Sequence, residues 1–122
     1  MSAKRTIHKA KRIEKPWGFE LLWAETEDYV GKLLFVKAGE SLSLQYHEKK
    51  EETMHVESGV ALFEAGPNKD ELESFELKAG DSFHLPPGYL HRITAKTDCR
   101  IYEVSTPFLQ DVVRMEDRYG RL

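Results

Sequence analysis

Glycine and proline interrupt this chain so often that it can form only short elements. Pro16 and Gly18 flank Trp17, and Gly31, Gly39, Gly59, Gly66-Pro67, Gly80 and Pro86-Pro87-Gly88 follow. Between them lie segments 19–23, 32–37, 53–58, 60–64, 72–77, 82–85, 91–95 and 100–105. These are short, often β-branched or aromatic, and several alternate in polarity, which is the pattern of strands half-buried in a sheet. They predict an all-β antiparallel sandwich or barrel with little helix, and closure into a barrel would remove exposed strand edges. Lys37-Ala38-Gly39-Glu40 and Lys78-Ala79-Gly80-Asp81 are near-repeats, each placing glycine where a tight reversal needs positive φ. The segment from Phe108 to Arg121 is expected to be a short helix or an arm covering one end of the barrel.

A chain of 122 residues fits one domain, taken as 1–122, with 1–18 as an N-terminal arm or edge strand and 108–122 as a C-terminal tail. Its core needs no disulfide at this length, and the lone Cys99 reads as a buried free thiol in a reducing cytosol. With 18 basic and 21 acidic residues the formal charge is -3, which gives no global attraction to nucleic acid. Local lysines and arginines can still hold a small anion, because local potential governs a pocket. The opening residues lack the apolar run of a secretory signal, and no stretch has the length to cross a bilayer. A cytoplasmic protein with no membrane partner is expected.

Two polar islands stand out from this background. The first is Gln45-Tyr46-His47 followed by Glu52; the second is Pro86-Pro87-Gly88-Tyr89-Leu90-His91. Gln45 and His47 are two apart, so an extended strand puts them on one face. Glu52 lies beyond a lysine-rich turn, and the Pro-Pro-Gly turn can bring His91 in on a second strand. Two imidazoles, a carboxylate and an amide oxygen aimed at one point suit a divalent metal. Zinc is favoured, with manganese, iron, cobalt or nickel as alternatives. The competing readings are core hydrogen bonding for the histidines, a solvated turn for Glu52, and a hydrogen bond across the barrel mouth for Gln45. One carboxylate among neutral donors would leave the site net positive, which suits an anionic substrate or a deprotonated intermediate.

The spacing resembles a known family. Gly39, Gln45-Tyr46-His47, Glu52 and Gly59 resemble the first motif of cupins, and Gly80, Pro86-Pro87-Gly88 and His91 the second. That resemblance implies a double-stranded β-helix (jelly-roll) barrel with the metal ligands inside. KPWG at 15–18, SLQYH at 43–47, LPPGYLHRI at 85–93, YEVSTPF at 102–108 and VVRMEDRYGR at 112–121 are similar to the C-terminal domain of type II mannose-6-phosphate isomerases. In larger members that domain is fused to a mannose-1-phosphate guanylyltransferase domain. Two positions depart from the pattern: Lys50 stands where arginine is usual, and Met54 where tryptophan is typical. Lysine lacks arginine's forked donor set, so substrate contacts there would differ.

The resemblance implies interconversion of mannose 6-phosphate and fructose 6-phosphate through a cis-enediol(ate). The candidate proton-transfer groups are Lys50, His84 and Glu103, or a metal-bound water. Arg114 and Arg121, in a tail that approaches the substrate pocket in the family, are the phosphate readers, and strand parity points Lys37 toward the barrel mouth. Rival readings are a non-catalytic, metal-stabilised sugar-binding cupin and an iron-dependent cupin dioxygenase. A homodimer is expected, with Ile7, Ile13 and Trp17 as apolar points for burial between chains.

Overall fold

The computed structural model describes residues 7–122, so the first six residues of the expected N-terminal arm lie outside the described residues. Eleven strands follow in chain order: β1 (Lys11–Lys15), β2 (Gly18–Glu25), β3 (Val30–Val36), β4 (Leu44–Tyr46), β5 (Glu52–Ser58), β6 (Val60–Gly66), β7 (Glu73–Lys78), β8 (Ser82–Leu85), β9 (Leu90–Ala95), β10 (Cys99–Ser105) and β11 (Val113–Glu116). One 3-10 turn, Lys69–Glu71, is capped by the Asn68 side chain, which accepts from the Asp70 amide. All eight segments expected from glycine and proline spacing are strands, with ends displaced by a few residues. The two near-repeat turns also form alike. Gly39 and Gly80 take φ of 83 and 96, and each reversal closes with an amide-to-carbonyl bond, Glu40 to Lys37 at 2.9 Å and Asp81 to Lys78 at 3.0 Å.

The strands make two antiparallel sheets, ordered β1-β2-β3-β10-β5-β8 and β11-β4-β9-β6-β7. The expectation of a closed barrel is therefore wrong. Neither sheet curls onto itself, and β1, β8, β11 and β7 end their sheets without a further strand partner among the described residues. The layers are joined by side chains instead. Trp17, Leu34, Val36, Met54, Val56, Phe63, Leu85, Ile93 and Ile101 form one buried cluster between them. Period-two alternation drives this packing, as strand β10 shows: Cys99, Ile101, Glu103 and Ser105 are buried while Arg100, Tyr102 and Val104 are exposed. A sandwich satisfies that alternation without closure. Of the two forms expected for the tail, the helix is absent among the described residues. Residues 113–116 form β11, which pairs with β4 and sets Arg114 opposite Gln45.

Candidate metal centre

Strand pairing brings the two polar islands together. Gln45 on β4 lies directly opposite His91 on β9, and His47 follows two residues on. Glu52 opens β5 in the other sheet, paired with Leu85 and Ser105, and so reaches the histidines across the layers. The ligating atoms of His47, Glu52 and His91 all lie within 4.8 Å of one another, and all three residues are buried. Glu52 Oε1 is 3.2 Å from His91 Nε2 and 3.6 Å from His47 Nε2.

The hydrogen bonds around the cluster show what it fits. His91 Nδ1 faces the Tyr89 carbonyl at 3.1 Å, and His47 Nδ1 faces the Asp111 carbonyl. A carbonyl only accepts, so each Nδ1 carries the hydrogen and each ring turns its other nitrogen, Nε2, inward. Both Nε2 atoms and both Glu52 carboxylate oxygens are buried without a hydrogen-bond partner. Lys50 Nζ stands 2.9 Å from Glu52 Oε2, but off the direction of a good hydrogen bond. Buried lone pairs converging from two imidazoles and a carboxylate repel one another unless a cation sits among them. The donor set is that of a divalent metal site, and zinc, manganese and iron all accept it. Gln45 lines the adjoining cavity, where its Oε1 accepts from Ser43 Oγ at 2.7 Å; a second lone pair on that oxygen is left over for a ligand.

Beside the cluster runs a buried charge chain. Lys50 Nζ lies between Glu52 and Glu103, 3.1 Å from Glu103 Oε2. Burial opposes the charge on Lys50, yet the carboxylates of Glu103 and Glu52 outweigh it and hold the ammonium above the ordinary lysine range. Burial pushes Glu52 upward, but the closely facing rings of His47 and His91 and the charge of Lys50 hold it well below the usual carboxylate range. Glu103 goes the other way. Burial raises it, the negative charge of Glu52 adds to that, and Lys50 and Lys32 only partly compensate. Two carboxylates flanking one lysine are thus driven apart in acidity.

Gln45, His47, Lys50, Glu103, Arg114 and Arg121 all line one cavity of about 380 Å³ between the sheets, shared with Lys15, Glu20 and Lys32. Its cations are not equivalent. Lys32 pairs with Glu20 at 3.2 Å, and Arg121 is held by Asp117 at 2.8 Å. Arg114 Nε is buried with no hydrogen-bond partner, so its guanidinium retains donors for an anion. Two sequence candidates lie elsewhere. His84 sits on an exposed face of β8 against Glu51, and Lys37 is exposed just past the end of β3. Neither lines the cavity, so the expectations for His84 as a base and Lys37 at the mouth are not supported by their positions. Lys37 lies just past β3 at the parity of Leu33 and Phe35, opposite to Lys32, Leu34 and Val36, which face the cavity and core.

One positioning residue escaped sequence reasoning. Asp111, in the tail, accepts from the backbone amides of Glu48, Lys49 and Lys50 at 3.0, 2.7 and 3.0 Å, while its own carbonyl orients His47. It ties the turn between two ligands to the ring of one of them across more than sixty residues of chain, and an isolated aspartate in a tail carries no signal of that. Asp111→Ala keeps the carbonyl that faces His47 but releases the turn between the two ligands, and is expected to weaken metal affinity by roughly tenfold, the low end of the penalty for disturbing outer-shell support. These amide bonds, led by that of Lys49, also hold the carboxyl below the usual aspartate range. A depressed folded-state pKa adds stability above the unfolded value of about 3.9 that is lost as pH falls through the folded value. The gap in melting temperature between wild type and Asp111→Asn should therefore be full at neutral pH and close in acid.

Comparison with known proteins places this geometry. The family model described as mannose-6-phosphate isomerase C-terminal matches residues 2–117. Mannose-1-phosphate guanylyltransferase ManC of Salmonella typhimurium is 33% identical over 94% of this chain and 24% of its own length. Xanthan biosynthesis protein XanB of Xanthomonas campestris pv. campestris is 33% identical over 91% of this chain and 24% of its own. The chain thus spans about a quarter of the length of these relatives. Among solved structures, oxalate decarboxylase from Bacillus subtilis aligns with a TM-score of 0.78 at 15% identity, covering 98% of this chain and 35% of that one. KdgF from a Halomonas species gives 0.69 at 20% identity, covering 80% and 87%. At such identities the structures share the fold alone.

Proposed function

This chain belongs to the mannose-6-phosphate isomerase C-terminal family, and we propose that it interconverts mannose 6-phosphate and fructose 6-phosphate at the His47–Glu52–His91 centre. The observation that carries the reading is the cavity itself. It sets a buried acid–lysine pair, Glu103 and Lys50, and the unpartnered guanidinium of Arg114 around a cluster fit to hold a divalent ion. His47, Glu52 and His91, with Gln45 as the fourth donor, would hold the metal. When bound it supplies Lewis-acid polarisation of the sugar carbonyl and stabilises oxygen charge.

The remaining chemistry belongs to side chains. Glu103 is the proton-transfer group: its carboxylate takes the proton from the carbon next to the aldehyde. The freed electron pair forms the carbon–carbon double bond of a cis-enediol(ate) as the carbonyl pair moves onto O1; the same proton then returns to the neighbouring carbon while the O2 hydroxyl proton passes to O1, leaving the ketone at C2. Burial that raises Glu103 brings a carboxylate closer to the operating pH, where a general base works best. Lys50 is too firmly protonated to act as the base; it fixes Glu103 in position and offsets negative charge as it develops. Arg114 anchors the phosphate and orients the sugar. A buried free Cys99 accords with a reducing, cytoplasmic setting. No helix among the described residues is long and apolar enough to cross a membrane.

Metal-loaded protein incubated with mannose 6-phosphate should form fructose 6-phosphate. Absence of turnover with zinc, manganese, cobalt, nickel and iron in turn would reject the isomerase, and saturable sugar-phosphate binding without turnover would transfer the site to a non-catalytic binder. Arg114→Ala is expected to raise KM with metal occupancy unchanged. Loss of a charged hydrogen bond worth about 1.5–3 kcal/mol corresponds to roughly 10–150-fold. An unchanged KM would remove Arg114 from the phosphate site.

A further inference from the structure

The cations lining the cavity differ in what already holds them. Lys50 is shared between Glu52 and Glu103, at 2.9 and 3.1 Å. Lys32 pairs with Glu20 Oε1 at 3.2 Å, and Arg121 binds Asp117 through its backbone amide, Nε and Nη2. Two cavity cations remain. Arg114 Nε is buried without a hydrogen-bond partner. Among the described residues, Lys15 Nζ comes no nearer to a carboxylate than 4.0 Å, and the oxygen it meets is the Glu20 Oε1 that Lys32 already holds. That separation exceeds hydrogen-bond reach, so the Lys15 ammonium keeps its donors for a ligand. The fold fixes where Lys15 stands. It ends β1 and pairs with Gly18 across the turn Pro16-Trp17. Trp17, first expected to bury between chains, is 3% exposed within its own core and anchors that turn. A Cβ on Gly18 would come within 1.9 Å of the Phe35 carbonyl oxygen, so the hairpin lies hard against β3. Ile13, another residue expected between chains, shares the inward face of β1 with Lys15 and also lines the cavity. Side-chain exposure rises along this wall, from 1% at Glu52 through 6% at Lys50 and 12% at Lys32 to 28% at Lys15. Lys15 therefore stands toward the mouth and the ligand cluster at the inner end.

We propose that Lys15 is a second phosphate ligand acting with Arg114, so that a phosphate monoester is clamped between the two sheets. The proposal rests on the sugar-phosphate reading of the site and names the residue that completes its anion subsite. Position supports the pair: β1 and β11 each end their sheet, and the cavity lies between residues of both. Charge supports it too. A phosphate monoester carries about −1.5 to −2 at pH 7, which matches two cations that no carboxylate has claimed. The two side chains divide the work by shape. The planar guanidinium offers a fork to two phosphate oxygens, and the ammonium, a point charge on a flexible stem, can take the third. A sugar phosphate then lies with its phosphate toward the Lys15 end and its reacting carbons toward Glu103 and the ligand cluster. A neutral sugar offers this clamp nothing, so Lys15 and Arg114 together select phosphorylated over free sugars.

Mannitol 6-phosphate has no carbonyl and cannot be isomerised, so calorimetry of the metal-loaded full chain with it reads binding alone. Wild type should bind it far more tightly than mannitol, with an affinity that falls as salt rises. Lys15→Met keeps the stem and removes only the charge. It should weaken binding by roughly 10–150-fold, the range for one lost charged hydrogen bond, with metal stoichiometry unchanged. Lys15→Arg should recover most of the loss. Inorganic phosphate should compete for the wild-type site and compete less well in Lys15→Met by a similar factor. Affinities unchanged in Lys15→Met overturn the clamp, and so does a wild type that binds neither phosphate compound. Turnover of mannose 6-phosphate with an unchanged KM in Lys15→Met leaves the reaction standing and removes the clamp. Phosphate binding that depends on Lys15 and Arg114 in a protein without turnover leaves the clamp standing and removes the reaction.

Discussion

His91→Ala should lose stoichiometric metal binding and, with it, the metal-dependent part of the protein's thermal stability. His91 Nε2 is buried, unpartnered and 3.2 Å from Glu52 Oε1, so it has no evident role other than to face a cation. At a metal concentration one hundred times Kd, binding to the folded state alone is worth about 2.7 kcal/mol. For a chain of this size that amounts to a melting shift of roughly 10 °C. The metal-loaded wild type should therefore melt well above its apo form, whereas loaded and apo His91→Ala should melt together. In the apo protein the substitution opens a cavity while relieving an unpaired polar atom, two effects of opposite sign, so its apo shift should be the smaller one. Equal shifts with and without metal would make His91 an ordinary core histidine, and the same comparison applies to His47→Ala.

Glu103→Gln is expected to reduce kcat for mannose 6-phosphate isomerisation by roughly 10²–10⁴-fold, the usual contribution of a positioned proton-transfer group. Glutamine keeps the shape and can still accept from Lys50 Nζ, now 3.1 Å from the carboxylate, but it cannot take a proton from carbon. Metal occupancy should be unaffected, because Glu103 lies on the far side of Lys50 from Glu52. KM should move far less than kcat, since the loss is confined to the transition state. A kcat close to wild type would exclude Glu103 as the base. A fall in metal occupancy would show instead that the Glu52–Lys50–Glu103 chain is a structural support for the ligands. Lys50→Met separates these cases from the other direction. It strands two buried carboxylates beside the centre, and breaking such a buried pair typically costs about 3–5 kcal/mol.

Sequence by itself determined the local parts of this protein. Glycine and proline spacing marked eight of the strands, because turn chemistry and period-two alternation are properties of neighbouring residues. It also singled out His47, Glu52 and His91, whose residue types and flanking turns have few other uses in one small chain. What lay beyond it were features fixed by partners distant in the chain. Whether the sheets would close depends on pairing between end strands, and β1, β8, β11 and β7 lack those partners among the described residues. Strand β11 was missed because so short a segment becomes a strand through pairing with β4. Asp111 reaches the turn at Glu48–Lys50 across more than sixty residues, and nothing local marks it. The acidities of Glu52 and Glu103, driven apart around one lysine, arise from burial and contact that exist only once the layers are packed. Even Lys15, one lysine of a basic opening segment, could be told from its neighbours only when the packed layers showed which side of β1 the cavity had taken.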